Sequence, residues 1–150
     1  MSNALIWGAS GGIGSALVEQ LKQKGWSVYG AARDTDAIPQ AADEVFRFDA
    51  SQPETYKEVA LILAEDAVEL DLVVYAAGGI ISEKMEKYGA QTWQQVIDAN
   101  LNGAYLGLQS VLHLVPKGGH LVVIGAYVDK ITLPKFGAYT VAKAGLQLMM

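Results

Sequence analysis

Tyr139 and Lys143 stand four positions apart near the end of the sequence. On a helix, this spacing places the two side chains on one face, about one turn from each other. Because an ammonium group beside a phenol stabilises the phenolate, Tyr139 is a candidate general acid or base with Lys143 as its helper. A core tyrosine beside a surface lysine gives the same pattern by chance. A catalytic role for the tyrosine–lysine pair therefore needs support from an independent feature elsewhere in the chain.

A glycine-rich segment near the N-terminus is that second feature. Residues 8–14, called the glycine turn below, read Gly-Ala-Ser-Gly-Gly-Ile-Gly and lie between an apolar run and an amphipathic run. Glycines there allow a sharp turn, a close approach of the backbone to a pyrophosphate, and tight packing of helix on strand. The N–H groups and dipole of the following helix would favour the phosphate charge. The candidate dinucleotide-binding residues of this segment are Gly8, Ser10, Gly11, Gly12, Ile13 and Gly14.

Apolar runs of strand length alternate with amphipathic runs of helical period along the chain. The sequence predicts strands at 4–7, 26–32, 44–48, 72–76 and 121–124, and helices at 12–24, 53–66, 92–115 and 139–150. The first helix is expected to bury Ile13, Leu17 and Leu21. This alternation indicates a doubly wound parallel α/β sheet of Rossmann type with five strands visible. We expect a single domain over 1–150 whose natural fold continues further, because the last helix ends on apolar residues without a stop signal.

Composition excludes several kinds of partner. The 150 residues carry a formal net charge of −5, which provides no basic field for nucleic acid or anionic lipid. No signal peptide is recognisable, and no apolar run reaches the roughly 18 residues of a membrane span, so we expect a cytoplasmic protein without membrane contact. Cysteine is absent, and His113 and His120 lack the spacing of metal ligands, so no metal site is predicted.

The glycine turn also spells Gly-x-Ser-x-Gly, the pattern of a hydrolase nucleophile centred on Ser10. A hydrolase needs an acid and a histidine beside Ser10, and only His113 or His120 is available for that role. A hydrolase would also leave Gly14 and the tyrosine–lysine pair without a role. The sequence therefore favours a dinucleotide site over a hydrolase.

Together with Asn100, the glycine turn and the tyrosine–lysine pair resemble, in order and spacing, the short-chain dehydrogenase/reductase family. The resemblance implies an NAD(P)(H)-dependent oxidoreductase that transfers hydride to or from a small-molecule substrate. Tyr139 would be its general acid or base, Lys143 would assist and bind the nicotinamide ribose, and Asn100 would support a proton-relaying water. The resemblance also implies a homodimer or homotetramer, paired through the two helical stretches at 92–115 and 139–150.

Dinucleotide folds often carry an acidic residue for the ribose at the end of the second strand, a position that Ala32 occupies here and that Arg33 follows. An arginine suits a 2′-phosphate because its planar fork makes two charge-assisted bonds, so NADP(H) is favoured over NAD(H). Asp34 keeps NAD(H) open, since its carboxylate would either pair with Arg33 or bind the ribose itself. By resemblance, further cofactor contacts fall at Asp49, Ala77 and Gly78, although Asp49 is also placed to cap the next helix.

The sequence departs from the family pattern after the fifth strand, where Ala126 stands in place of the usual substrate-binding serine. Tyr127 or Thr132 would have to replace its hydroxyl. With this alanine and with Ala-Gly-Gly at 77–79, the sequence resembles the branch of the family that reduces quinonoid dihydropterin. The substrate of that branch is an electron-poor ring that accepts hydride without strong carbonyl polarisation. Arg33 does not match that branch. The other alternative is a non-catalytic NAD(P)-binding sensor or degenerate paralogue, which the missing serine leaves open.

Overall fold

The computed structural model describes residues 1–128 and 134–150. Five parallel strands form one sheet in the order β3-β2-β1-β4-β5. The strands are β1 Asn3–Trp7, β2 Ser27–Ala32, β3 Glu44–Arg47, β4 Leu72–Tyr75 and β5 His120–Val123. The predicted doubly wound α/β fold with five strands is confirmed.

Between β2 and β3 there is only the 3₁₀ turn Thr35–Ala37, and α-helices follow the other four strands. The helices are α1 Gly12–Gln23, α2 Pro53–Glu65, α3 Ala90–Ile97, α4 Gly103–Val111 and α5 Gly137–Met149. The predicted single helix at 92–115 is divided, because a π-helical segment, Asp98–Asn102, called the π turn below, joins α3 to α4. No helix in the described parts of the chain combines the length and apolar character needed to cross a membrane. Thr132 lies outside the described residues.

The order of the strands creates a crevice at the centre of the sheet. β1 pairs with β2 on one side and with β4 on the other, and Trp7 is level with both Ala31 and Tyr75. The segments that follow these three strands therefore emerge side by side. In open α/β sheets, ligands bind in the crevice at this switch point. The glycine turn, Arg33 and residues 77–79 all begin here.

Side chains alternate across β1, so that a core forms on each face of the sheet. Ile6 packs with Val18 of α1 on one face, and Trp7 belongs to the core on the other. In that second core the rings of Trp7, Phe48 and Tyr56 have centroids 5.1 to 5.3 Å apart. Aromatic contacts of this kind add to the stabilisation from buried area. Because Trp7 ends β1, this aromatic cluster lies next to the glycine turn.

The buried face of α1 differs from the predicted one. Its buried residues are Gly14 and Val18, with Leu17 and Leu21 packed partly against the core, whereas Ile13 is 52% exposed. The predicted apolar stripe is wrong at Ile13, because the first turn contacts the sheet through the backbone of Gly14 instead of a side chain.

Candidate active site

Gly8 makes the sharp bend that ends β1, with a φ of +84°. Its N–H and that of Ala9 both donate to the carbonyl of Ala31 on β2, at 2.8 and 3.0 Å. A Cβ on Gly8 would lie 2.5 Å from the backbone nitrogen of Ala77. Glycine is required here because a positive φ strains other residues and the turn after β4 leaves no space for a side chain.

The first turn of α1 is tightly packed at one glycine and open at another. A Cβ on Gly14 would overlap the carbonyl oxygen of Gly8 and lie 2.8 Å from the carbonyl carbon. A Cβ on Gly12 would meet nothing within 4 Å. Gly14 therefore serves helix packing, whereas Gly12 keeps open the space in front of the helix.

The N-terminus of α1 also has free donors. Within the described residues no side chain caps it, and its backbone bonding begins with the Ser15 N–H, which donates to the Gly11 carbonyl at 2.8 Å. Ser10, Gly11 and Ile13 are exposed along the open side. Uncapped N–H groups, the helix dipole and open space together suit a pyrophosphate.

Arg33 and Asp49 lie at neighbouring strand ends, since β2 and β3 pair in parallel as far as Ala32 and Arg47. Asp49 Oδ1 accepts the N–H and the hydroxyl of Ser51, at 2.9 and 2.7 Å. These two bonds hold the pKa of Asp49 below its ordinary value, and the charges of Arg33 and Arg47 lower it further. Asp49 is not the N-cap of α2, whose N-cap residue makes no side-chain capping bond. The guanidinium of Arg33 is exposed.

The carboxylate of Asp34 serves its own loop. Its Oδ1 accepts the Asp36 N–H at 3.1 Å, at the start of the 3₁₀ turn Thr35–Ala37. The one ion pair within 4.0 Å among the described residues involves other side chains, so Arg33 and Asp34 do not form the pair that the sequence left open.

Asn100 lies in the π turn and is 1% exposed. Its Nδ2 donates to the carbonyls of Gly79 and Val96, at 2.6 and 2.8 Å. Its Oδ1 has no hydrogen-bond partner in the described part of the chain and lies 2.7 Å from the position that a Cβ on Gly78 would take. A buried acceptor without a donor costs on the order of 1–3 kcal/mol, so this atom marks a place for a polar ligand or water.

Lys143 follows Tyr139 by one turn of α5, with its Nζ 5.8 Å from the centre of the tyrosine ring. It is 6% exposed, and its Nζ donates to the carbonyl of Ile124 at 2.6 Å. Burial holds the pKa of Lys143 below its ordinary value. The same Nζ lies 4.0 Å from the Cβ position of Gly78, so it and Asn100 converge on one point after β4.

A groove of about 670 Å³ lies between the segment after β5 and α5. Ala126, Tyr127, Leu146 and Gln147 are among its lining residues. Ala126 presents a methyl group where the family pattern places a hydroxyl. Tyr127 is 62% exposed on the same segment.

The two histidines lie at the edge of the sheet opposite the glycine turn. His120 begins β5 and is level with Leu72, the first residue of β4. His113 lies near the same edge, because the next residue accepts the N–H of Leu70. Ser10 follows the carboxyl end of β1, so neither histidine reaches it and the hydrolase alternative is not supported. Within 1–128 and 134–150, no three acidic or histidine side chains group as a metal site would require.

Two supports of the site were missed by sequence reasoning. The Ile124 carbonyl, which holds Lys143, is a backbone group that no residue type marks. The hydroxyl of Tyr75 donates to the carbonyl of Ala99 in the π turn at 2.8 Å. The available signal was the pair of glycines in α4: a Cβ on Gly103 would overlap the Tyr75 hydroxyl, and one on Gly107 would lie 3.0 Å from its ring.

Proteins of known sequence are similar to this chain over most of its length. The sequence model of the short chain dehydrogenase family matches residues 2–150. An uncharacterized oxidoreductase of Staphylococcus aureus (strain N315) is 28% identical over 152 residues, which cover 95% of this chain and 66% of that protein. One from Staphylococcus epidermidis (strain ATCC 12228 / FDA PCI 1200) is 28% identical over 127 residues, covering 79% of this chain and 55% of that protein. The chain thus spans 66% or less of the length of these relatives.

Solved structures of dehydrogenases are also similar to this chain over nearly its whole length. An alcohol dehydrogenase from the archaeon Thermococcus sibiricus, complexed with 5-hydroxy-NADP, has a TM-score of 0.91 at 25% identity and covers 99% of this chain and 68% of that one. The ligand-free aldohexose dehydrogenase of Thermoplasma acidophilum has a TM-score of 0.90 at 22% identity, a likeness of fold, over 99% of this chain and 58% of that one. The family match extends over nearly the whole sequence, on a sheet that places the glycine turn at its switch point: the chain belongs to the short-chain dehydrogenase family.

Proposed function

We propose that this chain binds NADPH at the glycine turn and reduces a small electron-poor substrate beside Tyr139. The observation that carries the proposal is the convergence of two buried polar groups, Lys143 Nζ and Asn100 Oδ1, on Gly78. Burying an ammonium group and an unpaired amide oxygen opposes folding, and such groups cluster where function needs them. A polar ligand in the crevice would offset that cost.

The residues around the crevice fit a dinucleotide. Gly12 faces open space beside the uncapped start of α1, where a pyrophosphate would meet free N–H groups. The exposed Arg33 suits a 2′-phosphate, whereas Asp34, the candidate partner of an NAD ribose, already accepts a bond from its own loop. NADPH is therefore favoured over NADH. The alcohol dehydrogenase of Thermococcus sibiricus was solved with an NADP derivative, in agreement with this choice.

When bound, NADPH supplies a hydride from its nicotinamide ring. Tyr139 then donates its hydroxyl proton to the substrate oxygen or nitrogen that gains negative charge. Lys143 stabilises the phenolate left behind, because its ammonium group lies within one helical turn of the tyrosine ring. The bond to Ile124 keeps that ammonium group in place. Asn100 Oδ1 holds a water through which Tyr139 and Lys143 regain protons.

Ala126 narrows the class of substrate. A hydroxyl that polarises the reacting carbonyl is typically worth about 2.7–4 kcal/mol of transition-state stabilisation, and the Ala126 side chain supplies none. Quinonoid acceptors, which take up hydride without that donor, therefore suit the groove better than simple ketones. Quinonoid dihydropterin is one such acceptor.

The cofactor is tested by fluorescence titration of the wild-type protein with NADPH and NADH. Arg33→Ala is expected to weaken NADPH binding about tenfold or more, with little change for NADH, because it removes a charge-assisted bond to the extra phosphate. Lys24→Ala, which removes an exposed cation at the end of α1 opposite the glycine turn, is the control and should leave the NADPH preference unchanged. A wild-type protein that binds neither nucleotide contradicts the proposal.

Turnover is tested with NADPH and two acceptors, phenanthrenequinone and quinonoid dihydropterin. Tyr139→Phe is expected to lower kcat about 10²–10⁴-fold and to leave NADPH binding nearly unchanged, since only the proton donor is lost. Equal turnover in the variant contradicts the role of Tyr139. NADPH binding by the wild type without turnover of either acceptor contradicts the reductase and supports the non-catalytic sensor.

A further inference from the structure

We propose that Tyr75 is a positioning residue that fixes the positions of Asn100 and Lys143 relative to each other. The proposal rests on the proposed function of those two residues. Tyr75 ends β4 and is 1% exposed. Its hydroxyl donates to the carbonyl of Ala99, the residue before Asn100 in the π turn, at 2.8 Å. The strand thereby fixes the backbone of the π turn directly beside the functional amide.

The same strand end holds the Asn100 side chain. Gly79 lies four residues after Tyr75, and its carbonyl accepts the Nδ2 of Asn100 at 2.6 Å. One bond to Ala99 and one to Asn100 therefore join the π turn to the end of β4. With both bonds made, the Oδ1 of Asn100 is turned toward Gly78.

Tyr75 also supports Lys143, through its backbone. The carbonyl of Tyr75 accepts the N–H of Ile124 at 3.3 Å, and the carbonyl of Ile124 accepts Lys143 Nζ at 2.6 Å. A single residue at the end of β4 thus contacts the immediate support of each functional side chain. Loss of its hydroxyl would remove one of the two bonds that join the π turn to the end of β4, while the connection to Lys143 remained.

The rest of the fold leaves space for this particular side chain. Gly103 and Gly107 lie in α4, where glycine destabilises a helix by roughly 0.5–1 kcal/mol relative to alanine. A Cβ on Gly103 would overlap the Tyr75 hydroxyl, and one on Gly107 would lie 3.0 Å from the ring. Burial raises the pKa of Tyr75 far above its ordinary value, so the hydroxyl stays protonated and remains a donor.

Tyr56 offers a matched control in the same core. It is 1% exposed, and its hydroxyl lies 2.7 Å from the Cβ position of Gly103. That hydroxyl interacts with the hydroxyl of Tyr75, but it makes no hydrogen bond to the π turn. Tyr56→Phe therefore removes the same atom from the same core without breaking the bond to Ala99.

The test compares Tyr75→Phe and Tyr56→Phe by NMR of isotope-labelled protein, with circular dichroism to verify folding. The side-chain amide signals of Asn100 are assigned by their loss in Asn100→Ser. In Tyr75→Phe we expect these signals to shift and their hydrogen exchange to accelerate about three- to tenfold, the equivalent of one lost hydrogen bond. In Tyr56→Phe they should match the wild type. Unchanged signals in Tyr75→Phe, or equal changes in both variants, overturn the proposal.

A kinetic measurement separates positioning from a purely structural role. With NADPH and phenanthrenequinone, Tyr75→Phe should lower kcat about tenfold and leave the KM for NADPH unchanged, whereas Tyr56→Phe should change neither. An unchanged kcat in Tyr75→Phe overturns the positioning role. The failure of the proposed function is recognised separately, because it appears as absent NADPH binding or turnover in the wild type and leaves the NMR comparison valid.

Discussion

The ammonium group of Lys143 is buried in the folded protein, and burying a charge opposes folding. The side chain is 6% exposed, and among the described residues its one hydrogen bond goes to the carbonyl of Ile124. An ammonium group has three donors, so the Lys143 ammonium group can also donate to a bound ligand or water. Buried groups of this kind are retained where activity requires them, at a cost in stability.

This cost should be visible in the pH dependence of stability. Burial lowers the pKa of Lys143 in the folded protein, so the unfolded chain binds more protons between that pKa and the ordinary lysine value near 10.4. The free energy of unfolding of the wild type should therefore rise with pH across this range, relative to that of Lys143→Met. Urea unfolding of both proteins from about pH 8 to about pH 10.5 measures the difference.

Lys57→Met is the control for this experiment, because Lys57 is an exposed lysine of α2. Its free energy of unfolding should run parallel to that of the wild type at every pH. A stability difference between Lys143→Met and the wild type that does not change with pH would contradict the prediction.

At the scale of elements, the strands and most helices could be predicted because apolar period and length determine them locally. The sequence predicts the five strands to within one residue of their observed ends, since each has apolar residues at its centre and is bounded by a turn or a helix. The tyrosine–lysine pair was placed on one helix for the same reason. Its approach to Asn100 depends on the packing of α5 against the π turn, which no local pattern encodes.

The π turn itself was beyond the reach of the sequence. A π-helical segment keeps the chain helical, so the apolar positions on either side still read as one helix from 92 to 115. The carboxylate of Asp34 was equally ambiguous, because the choice between its own loop and a neighbouring arginine depends on backbone geometry after β2. Both features required three-dimensional information.

The glycine turn allows two roles of glycine to be separated by experiment. Gly14→Ala should cost about 1–3 kcal/mol in free energy of unfolding, because the new methyl group would overlap the carbonyl of Gly8. Gly12→Ala should keep the stability within about 0.5 kcal/mol of the wild type, since its methyl group would enter open space. That methyl group would occupy the position proposed for the pyrophosphate, so NADPH binding should weaken.

Urea unfolding and fluorescence titration of both variants check this prediction. The decisive result is the contrast between them: stability lost at Gly14, and binding lost at Gly12 with stability kept. Tight NADPH binding by Gly12→Ala would place the cofactor elsewhere and argue against a pyrophosphate site at this turn.

At the scale of the whole molecule, the sheet order places the candidate site residues at one edge. β1 is central, and the segments after β1, β2 and β4 supply the glycine turn, Arg33 and residues 77–79 at neighbouring positions. The helices α4 and α5 close the site from the side through the π turn and Lys143. These helices also carry apolar side chains on their outer surfaces, which a catalytic role does not explain.

We propose that these outer surfaces form the contact between subunits of a homodimer or homotetramer. Tyr105 and Leu112 are 54% and 55% exposed and lie seven residues apart, on one side of α4 and the turn after it. Val141 of α5 is 51% exposed, and α5 packs beside the π turn that leads into α4. Exposed apolar side chains grouped on neighbouring helices are typical of an interface.

Sedimentation velocity tests whether the protein forms this assembly in solution. The wild type should sediment as a dimer or tetramer, and Val141→Glu should shift it to monomer, because an unpaired carboxylate in an apolar interface is strongly unfavourable. Leu61→Glu is the matched control, since Leu61 of α2 is 62% exposed and lies on a different helix. A monomeric wild type, or dissociation caused equally by both variants, would show that α4 and α5 do not form the interface. If only Val141→Glu dissociates the protein while its NADPH affinity stays unchanged, the nucleotide site is complete within one subunit.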